Sequence, residues 1–168
     1  MSNPKRIEPV YLFDIVDALV CLPETWSAYL NRSTAKIVSL PDDTFEGVEE
    51  SEEEDEEYYG EADKELIALA GVIMKSNDYV ELPSKFKVND WSIMREYCDS
   101  VDNSEQRDTL LKAIHGSGAF RRFKESVYDL GLEDEWFKFK DTCYEEIATG
   151  WLDSEGIPWT RTRNEPTD

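Results

Sequence analysis

Histidine occurs once in the 168 residues, as His115, and cysteine three times, as Cys21, Cys98 and Cys143. A single histidine removes the His-rich metal sites and any catalytic pair of histidines, leaving only an Asp/Glu site for a hard cation in principle. The cysteines are odd in number, far apart and without a C-x-x-C pair. They indicate neither a disulfide framework nor a zinc knuckle, and predict reduced thiols in a cytoplasmic protein. No apolar run approaches the roughly 20 residues of a membrane span, and the opening MSNPKRIEPV has no apolar stretch behind Lys5 and Arg6, so no membrane association or secretion is expected. Bases are scarce as well: 18 against 38 acids give a net charge of -20, which opposes unspecific binding to nucleic acid.

What is present suffices for one sizeable core: 40% of residues are hydrophobic and 12% aromatic. The expected organisation is a single domain over 1–157, interrupted by an acidic flexible insert at about 42–61, followed by a mobile tail at 158–168. Between Asp42 and Glu65 stand fourteen acids and one lysine, so most of the excess charge lies in one segment. Like charges there repel and few side chains can enter a core, which predicts a solvated loop; the run lacks the alternating pattern and central glycine of an EF-hand.

Periodicity outlines the rest. Leu12, Ile15, Val16 and Leu19 recur at helical spacing after Pro9, and WSAYLNRSTAKIVSL reads as a β-hairpin turning over Asn31 to Thr34. Further helices are predicted with Leu66, Leu69, Ala70 and Ile73 on one face, and with Trp91, Met94, Cys98 and Val101 behind a cap at Asn89 or Asp90. Asn103 or Ser104 caps the next, which places Leu110, Leu111 and Ile114 inward. Phe120, Phe123, Val127 and Leu130 mark a following stripe, and Trp136, Phe139, Cys143 and Ile147 the last. The fold class is α+β, mainly α: a helical domain with one small N-terminal β-hairpin.

The segment GSGAFRRFK, Gly116 to Lys124, is the candidate site. A small-residue turn ahead of a helix exposes free N–H groups at the positive end of the helix dipole, and each guanidinium offers a planar fork matching phosphate or carboxylate. Lys112, His115, Gly116, Gly118, Arg121, Arg122 and Lys124 are the candidate ligand-binding residues. The alternative is structural: adjacent arginines lie over the surface or pair with the acidic segment. The turn lacks the six-residue dinucleotide pattern, Ser117 has no nucleophile elbow, and carboxylate pairs such as Asp14 and Asp17 are expected from composition alone. Cys98 and Cys143 fall on apolar stripes as core residues. Among the aromatics interleaved with bases here, Phe137 alone stands off a core stripe. No catalytic residue, metal or cofactor is assigned.

The stretch AIHGSGAFRRFKESVYDLGLEDEWFKFKDTCYEEIATGWLDSEGI resembles the C-terminal signature of an uncharacterised bacterial protein family that pairs G-x-G-A-F-R-R-F-K with a downstream W-x-x-F. Gly116, Gly118, Ala119, Phe120, Arg121, Arg122, Phe123 and Lys124 match the first motif, and Trp136 and Phe139 the second, with Ser117 where a larger or charged residue is common. The resemblance runs to about Ile157 and implies a cytoplasmic bacterial protein without implying an activity. The favoured expectation is a non-catalytic binding or protein-interaction module accepting an anion at the Gly/Arg helix start, its partner a protein or a small anion. An enzyme acting on a phosphorylated or carboxylated small molecule is the alternative. Nucleic-acid binding and DNA mimicry rank below both.

Overall fold

Apolar side chains recurring every three or four residues decide most of this structure, a computed structural model that describes residues 9–53, 60–84 and 88–163. The architecture is mainly α with a smaller β part. The chain forms two compact units, one of Met1–Lys85 with Ala148–Asp168 and the other of Phe86–Ile147.

In the first unit, β1 (Val10–Tyr11) leads into α1 (Leu12–Cys21), whose buried face is Leu12, Ile15, Val16 and Leu19 as the spacing predicts. The predicted hairpin is present as β2 (Trp26–Asn31) and β3 (Ile37–Pro41), with Leu30 opposite Ile37 and Trp26 opposite Pro41. Asn31 sets its turn. The Asn31 carboxamide oxygen accepts from the N–H groups of Ser33 at 2.9 Å and Thr34 at 3.2 Å, the local bond that makes asparagine a turn former.

Next, α2 (Thr44–Glu53) occupies the first part of the stretch expected as a solvated loop. Its reason is tertiary: Phe45 and Val48, three apart, pack against the cluster of Leu40, Ala70 and Ile73, and the Phe45 ring lies 5.6 Å from Tyr29 edge to face. Of the rest of the predicted insert, 54–59 lie outside the described residues, and Gly60 and Glu61 start the next helix. Following it, α3 (Glu61–Lys75) buries Ala70 and Ile73, and β4 (Tyr79–Glu81) adds a third, antiparallel strand beside β2 with Val80 opposite Leu30.

The second unit begins with α4 (Asp90–Ser100), α5 (Ser104–Ala113) and α6 (Ala119–Asp129). Asn89 and Asn103 are the caps: Asn89 accepts from the Ser92 N–H, and Asn103 from those of Glu105 and Gln106, satisfying donors that a helix start leaves unpaired. Gly131, at φ +69, ends α6, with its N–H on the Tyr128 carbonyl and the Leu132 N–H on that of Val127. This closes α6 into a helical hairpin with α7 (Glu133–Ser154).

From Ala148 onward, α7 belongs to the first unit, and Gly156 at φ +67 stops it by the same device, followed by the buried Ile157. Trp159 and Thr160, expected in the tail, form β5 (Trp159–Thr160), parallel to β1. Arg163 holds Asp14 at 3.1 Å and lies over the Tyr11 ring; residues 164–168 of the expected tail lie outside the described residues.

Candidate functional site

The Gly-Ser-Gly turn is built by two glycines in the left-handed region, Gly116 at φ +76 and Gly118 at φ +77, where a Cβ would be strained. Gly118 is the N-cap of α6, and four residues on, Arg122 folds back under the turn. Its Nε donates to the Ala113 carbonyl at 3.2 Å and its two Nη groups donate to the carbonyls of Ser117 and His115. The Trp91 indole N–H takes the Ile114 carbonyl at 2.9 Å. One guanidinium and one indole therefore satisfy the Ala113 and Ile114 carbonyls at the end of α5 and the His115 and Ser117 carbonyls of the turn. The bond also explains why Trp91, expected on the buried face of α4, is partly exposed: its ring stands at the helix edge to reach α5.

Arg121 faces the other way. Its side chain is 85% exposed and pairs with Glu125 one turn on, at 3.1 Å. Arg121, His115, Gly116 and Gly118 border one shallow depression of about 670 Å³, which also takes in Trp91 and Phe120. Lys112 does not line it. Of the seven residues proposed from the sequence, four thus gather at this depression and Arg122 is held against backbone beneath the turn. Lys124 belongs to a different feature.

That feature is a cleft of about 410 Å³ bordered by α4, α6 and α7. Ile93, Met94, Phe123, Val127 and Trp136 form its floor; all five are buried. Along α6 the residues Phe120, Lys124 and Tyr128, each four apart, make one rim, and along α7 Glu133, Phe137 and Lys140 make the other. Side chains at these spacings lie above one another on a helix face. Phe120, Phe137 and Tyr128 are 51%, 55% and 70% exposed, an unusual concentration of large apolar surface left in water.

The wall behind the floor is aromatic. Phe123 and Trp136 meet edge to face at 4.7 Å, and Tyr97 stacks against Trp136 at 5.3 Å and Phe139 at 5.4 Å. The Tyr97 hydroxyl is buried without a hydrogen-bond partner among the described residues, and burial raises its pKa. Tyr144, also buried, donates its hydroxyl to Asp90 at the edge of the cleft; burial and that bond both hold the phenol neutral. Lys140 sits 5.8 Å from the Tyr144 ring centre, a cation over a π face. Lys124 has neither an ion pair nor a hydrogen bond among the described residues, so its ammonium is available at the rim.

Of this cleft the sequence reading contained Lys124 and the free aromatic Phe137. It places Phe120 in the core with Phe123, has Lys140 only among the bases interleaved with aromatics, and does not single out Tyr128. The four-residue step from Phe120 through Lys124 to Tyr128 is the signal that marks a second ridge on α6, beside the buried one of Phe123 and Val127.

Among the described residues no helix is long and apolar enough to cross a membrane, and no group of three or more His, Cys, Asp or Glu side chains converges as metal ligands. The model of an uncharacterised protein family, UPF0158, matches residues 58–164, which include the turn, the depression and the whole cleft. The chain belongs to that family. Comparison with curated proteins and with solved structures finds no match.

Proposed function

We propose that this UPF0158 protein is a non-catalytic binding module, and that it takes its ligand in the cleft bordered by α4, α6 and α7. The observation that carries the reading is the pairing of an apolar floor with three half-exposed or more exposed aromatics and a lysine without an ion pair among the described residues. A cleft of this volume is of the size that ligands occupy, and a few polar groups around an apolar lining give orientation. The ligand suited to it carries an apolar body and a negative end, the body over Met94 and Val127, the charge near Lys124 and Lys140.

This moves the anion contact away from the Gly/Arg turn. There the Arg122 fork is already matched by three carbonyls, so an incoming phosphate would have to displace them. The cleft asks for no such exchange.

Anilinonaphthalene sulfonate, an aromatic body with one negative group, is a direct probe. Its fluorescence titration against the full chain should show binding that weakens at least about tenfold in the Phe120→Ser/Phe137→Ser double variant, equivalent to about 1.4 kcal/mol. Lys124→Glu should weaken it several-fold. Circular dichroism on each variant verifies that the helices persist. Unchanged binding in the double variant would show that the dye sits elsewhere and would remove the cleft as the binding site.

A further inference from the structure

Resting on that reading, we infer that the natural occupant of the cleft is an amphipathic α-helix of a partner protein, about three turns long, with bulky apolar residues at i, i+3 or i+4, and i+7 and a carboxylate beside them.

Shape comes first. At 1.5 Å per residue, the rim from Phe120 to Tyr128 runs about 12 Å and that from Glu133 to Lys140 about 10.5 Å, so two helical rows flank a floor some two turns long. Residues i and i+7 of a docked helix span a similar distance. A small ligand is ordinarily enclosed over most of its surface, whereas both rims here keep their large aromatics more than half in water. An occupant running the length of the floor would cover all three of those aromatics at once.

Backbone chemistry selects a helix over an extended peptide. A bound strand needs a sheet edge to receive its N–H and C=O groups. Every element that borders this cleft is a helix, whose backbone groups are bonded internally, so the cleft offers a strand no ladder partners, whereas a helical occupant brings its own backbone bonds.

Charge then narrows the class. Among the described residues Lys124 has no ion pair and Lys140 lies over the Tyr144 ring, while of the two carboxylates at the cleft Asp90 already accepts from Tyr144 and Glu133 lies at the far end of the α7 rim from Lys140. A carboxylate on the occupant would meet two ammonium groups at contact range. Because the whole chain carries a charge of -20, an acidic helix is repelled at a distance, and moderate salt should not abolish binding as it would for a purely electrostatic complex.

The test is a random peptide library of about 16 residues displayed on phage, long enough to hold a helix, panned against the immobilised full chain with Phe137→Glu as the counter-target. Enriched peptides should share the i, i+3 or i+4, i+7 apolar spacing with an adjacent acid, and should bind at least about tenfold more weakly to Lys124→Glu in fluorescence anisotropy. Enrichment of proline-rich or alternating sequences, or of none that distinguish the chain from Phe137→Glu, overturns the helix inference. If anilinonaphthalene sulfonate still binds in the cleft in that case, the binding reading survives with a small ligand as the occupant. If the dye fails as well, both readings fall.

Discussion

Consider truncating each of the two adjacent arginines of α6 to alanine. Arg122→Ala removes three hydrogen bonds from a charged donor to the carbonyls of Ala113, His115 and Ser117, and Arg121→Ala removes one exposed ion pair to Glu125. A hydrogen bond from a charged group contributes about 1.5–3 kcal/mol net when buried. Here the three share one half-buried side chain whose ordering costs up to about 2 kcal/mol, and water can reach part of what is vacated. Offsetting these leaves about 2 kcal/mol for Arg122. The Arg121 pair, one helical turn apart and screened by solvent, contributes about 0.3–0.5 kcal/mol. For a chain of this size each kcal/mol moves Tm by about 2–4 °C, so Arg122→Ala should lower it by about 4–8 °C and Arg121→Ala by no more than about 2 °C. Thermal unfolding followed by far-UV circular dichroism reads this directly. Arg122→Lys should recover less than half of the loss, because a point ammonium cannot span three carbonyls. Equal losses at the two positions, or full recovery by lysine, would refute the assignment of Arg122 as the clasp of the α5–α6 turn.

Further predictions concern the backbone and the thiols. Gly118→Ala should destabilise by about 1–2 kcal/mol and by more than Gly116→Ala, because both sit at positive φ but only at Gly118 would a Cβ come within 3.2 Å of an Arg122 nitrogen. Gly71→Ala, inside α3 with nothing within 4 Å of the added Cβ, should instead stabilise by about 0.5–1 kcal/mol; urea midpoints separate the three, and a loss at Gly71 would contradict the open space there. Burial pushes the Cys98 thiol from 9.0 up to about 11, so the folded state holds that proton more tightly than the unfolded one. Its contribution to stability is therefore complete below about pH 9 and is lost as pH rises toward 11, with the raised Tyr97 and Tyr144 phenols adding loss in the same direction at still higher pH. Urea midpoints across that range should fall less in Cys98→Ala. In the native protein a thiol reagent should modify the exposed Cys21 quickly and Cys98 only on unfolding; equal rates would show that α4 does not bury its sulfur.

The candidate site was partly legible before any coordinates. Lys124 and Phe137 stand out as polar and apolar residues off the core stripes, and the Gly-Ser-Gly turn announces itself by composition. What could not be read was direction. Arg121 and Arg122 are chemically identical neighbours, and a step of about 100° around the helix sends one to Glu125 in water and the other under the turn to three carbonyls. Phe120 and Phe123 are likewise three apart on one apparent stripe, yet Phe123 is fully buried and Phe120 half exposed, because the neighbouring helices cover only part of that stripe.

By itself the sequence determined the local elements. Period 3.6 placed α1 and α3 to α7, Asn89 and Asn103 capped two of them, Gly131 and Gly156 ended two, and Asn31 turned the hairpin, since each is an interaction closed within a few residues. Only the tertiary structure decided the rest. The three residues of β4 and the two each of β1 and β5 are too short for an alternation to show, and they are strands because distant backbone supplies their partners. The start of the acidic run is helical because Phe45 and Val48 find the Leu40, Ala70 and Ile73 cluster, whose residues lie on other elements. The cleft, too, exists only once α4, α6 and α7 stand side by side: apolar residues that pattern alone sends to the core stay at the rim when no further element of the unit covers them.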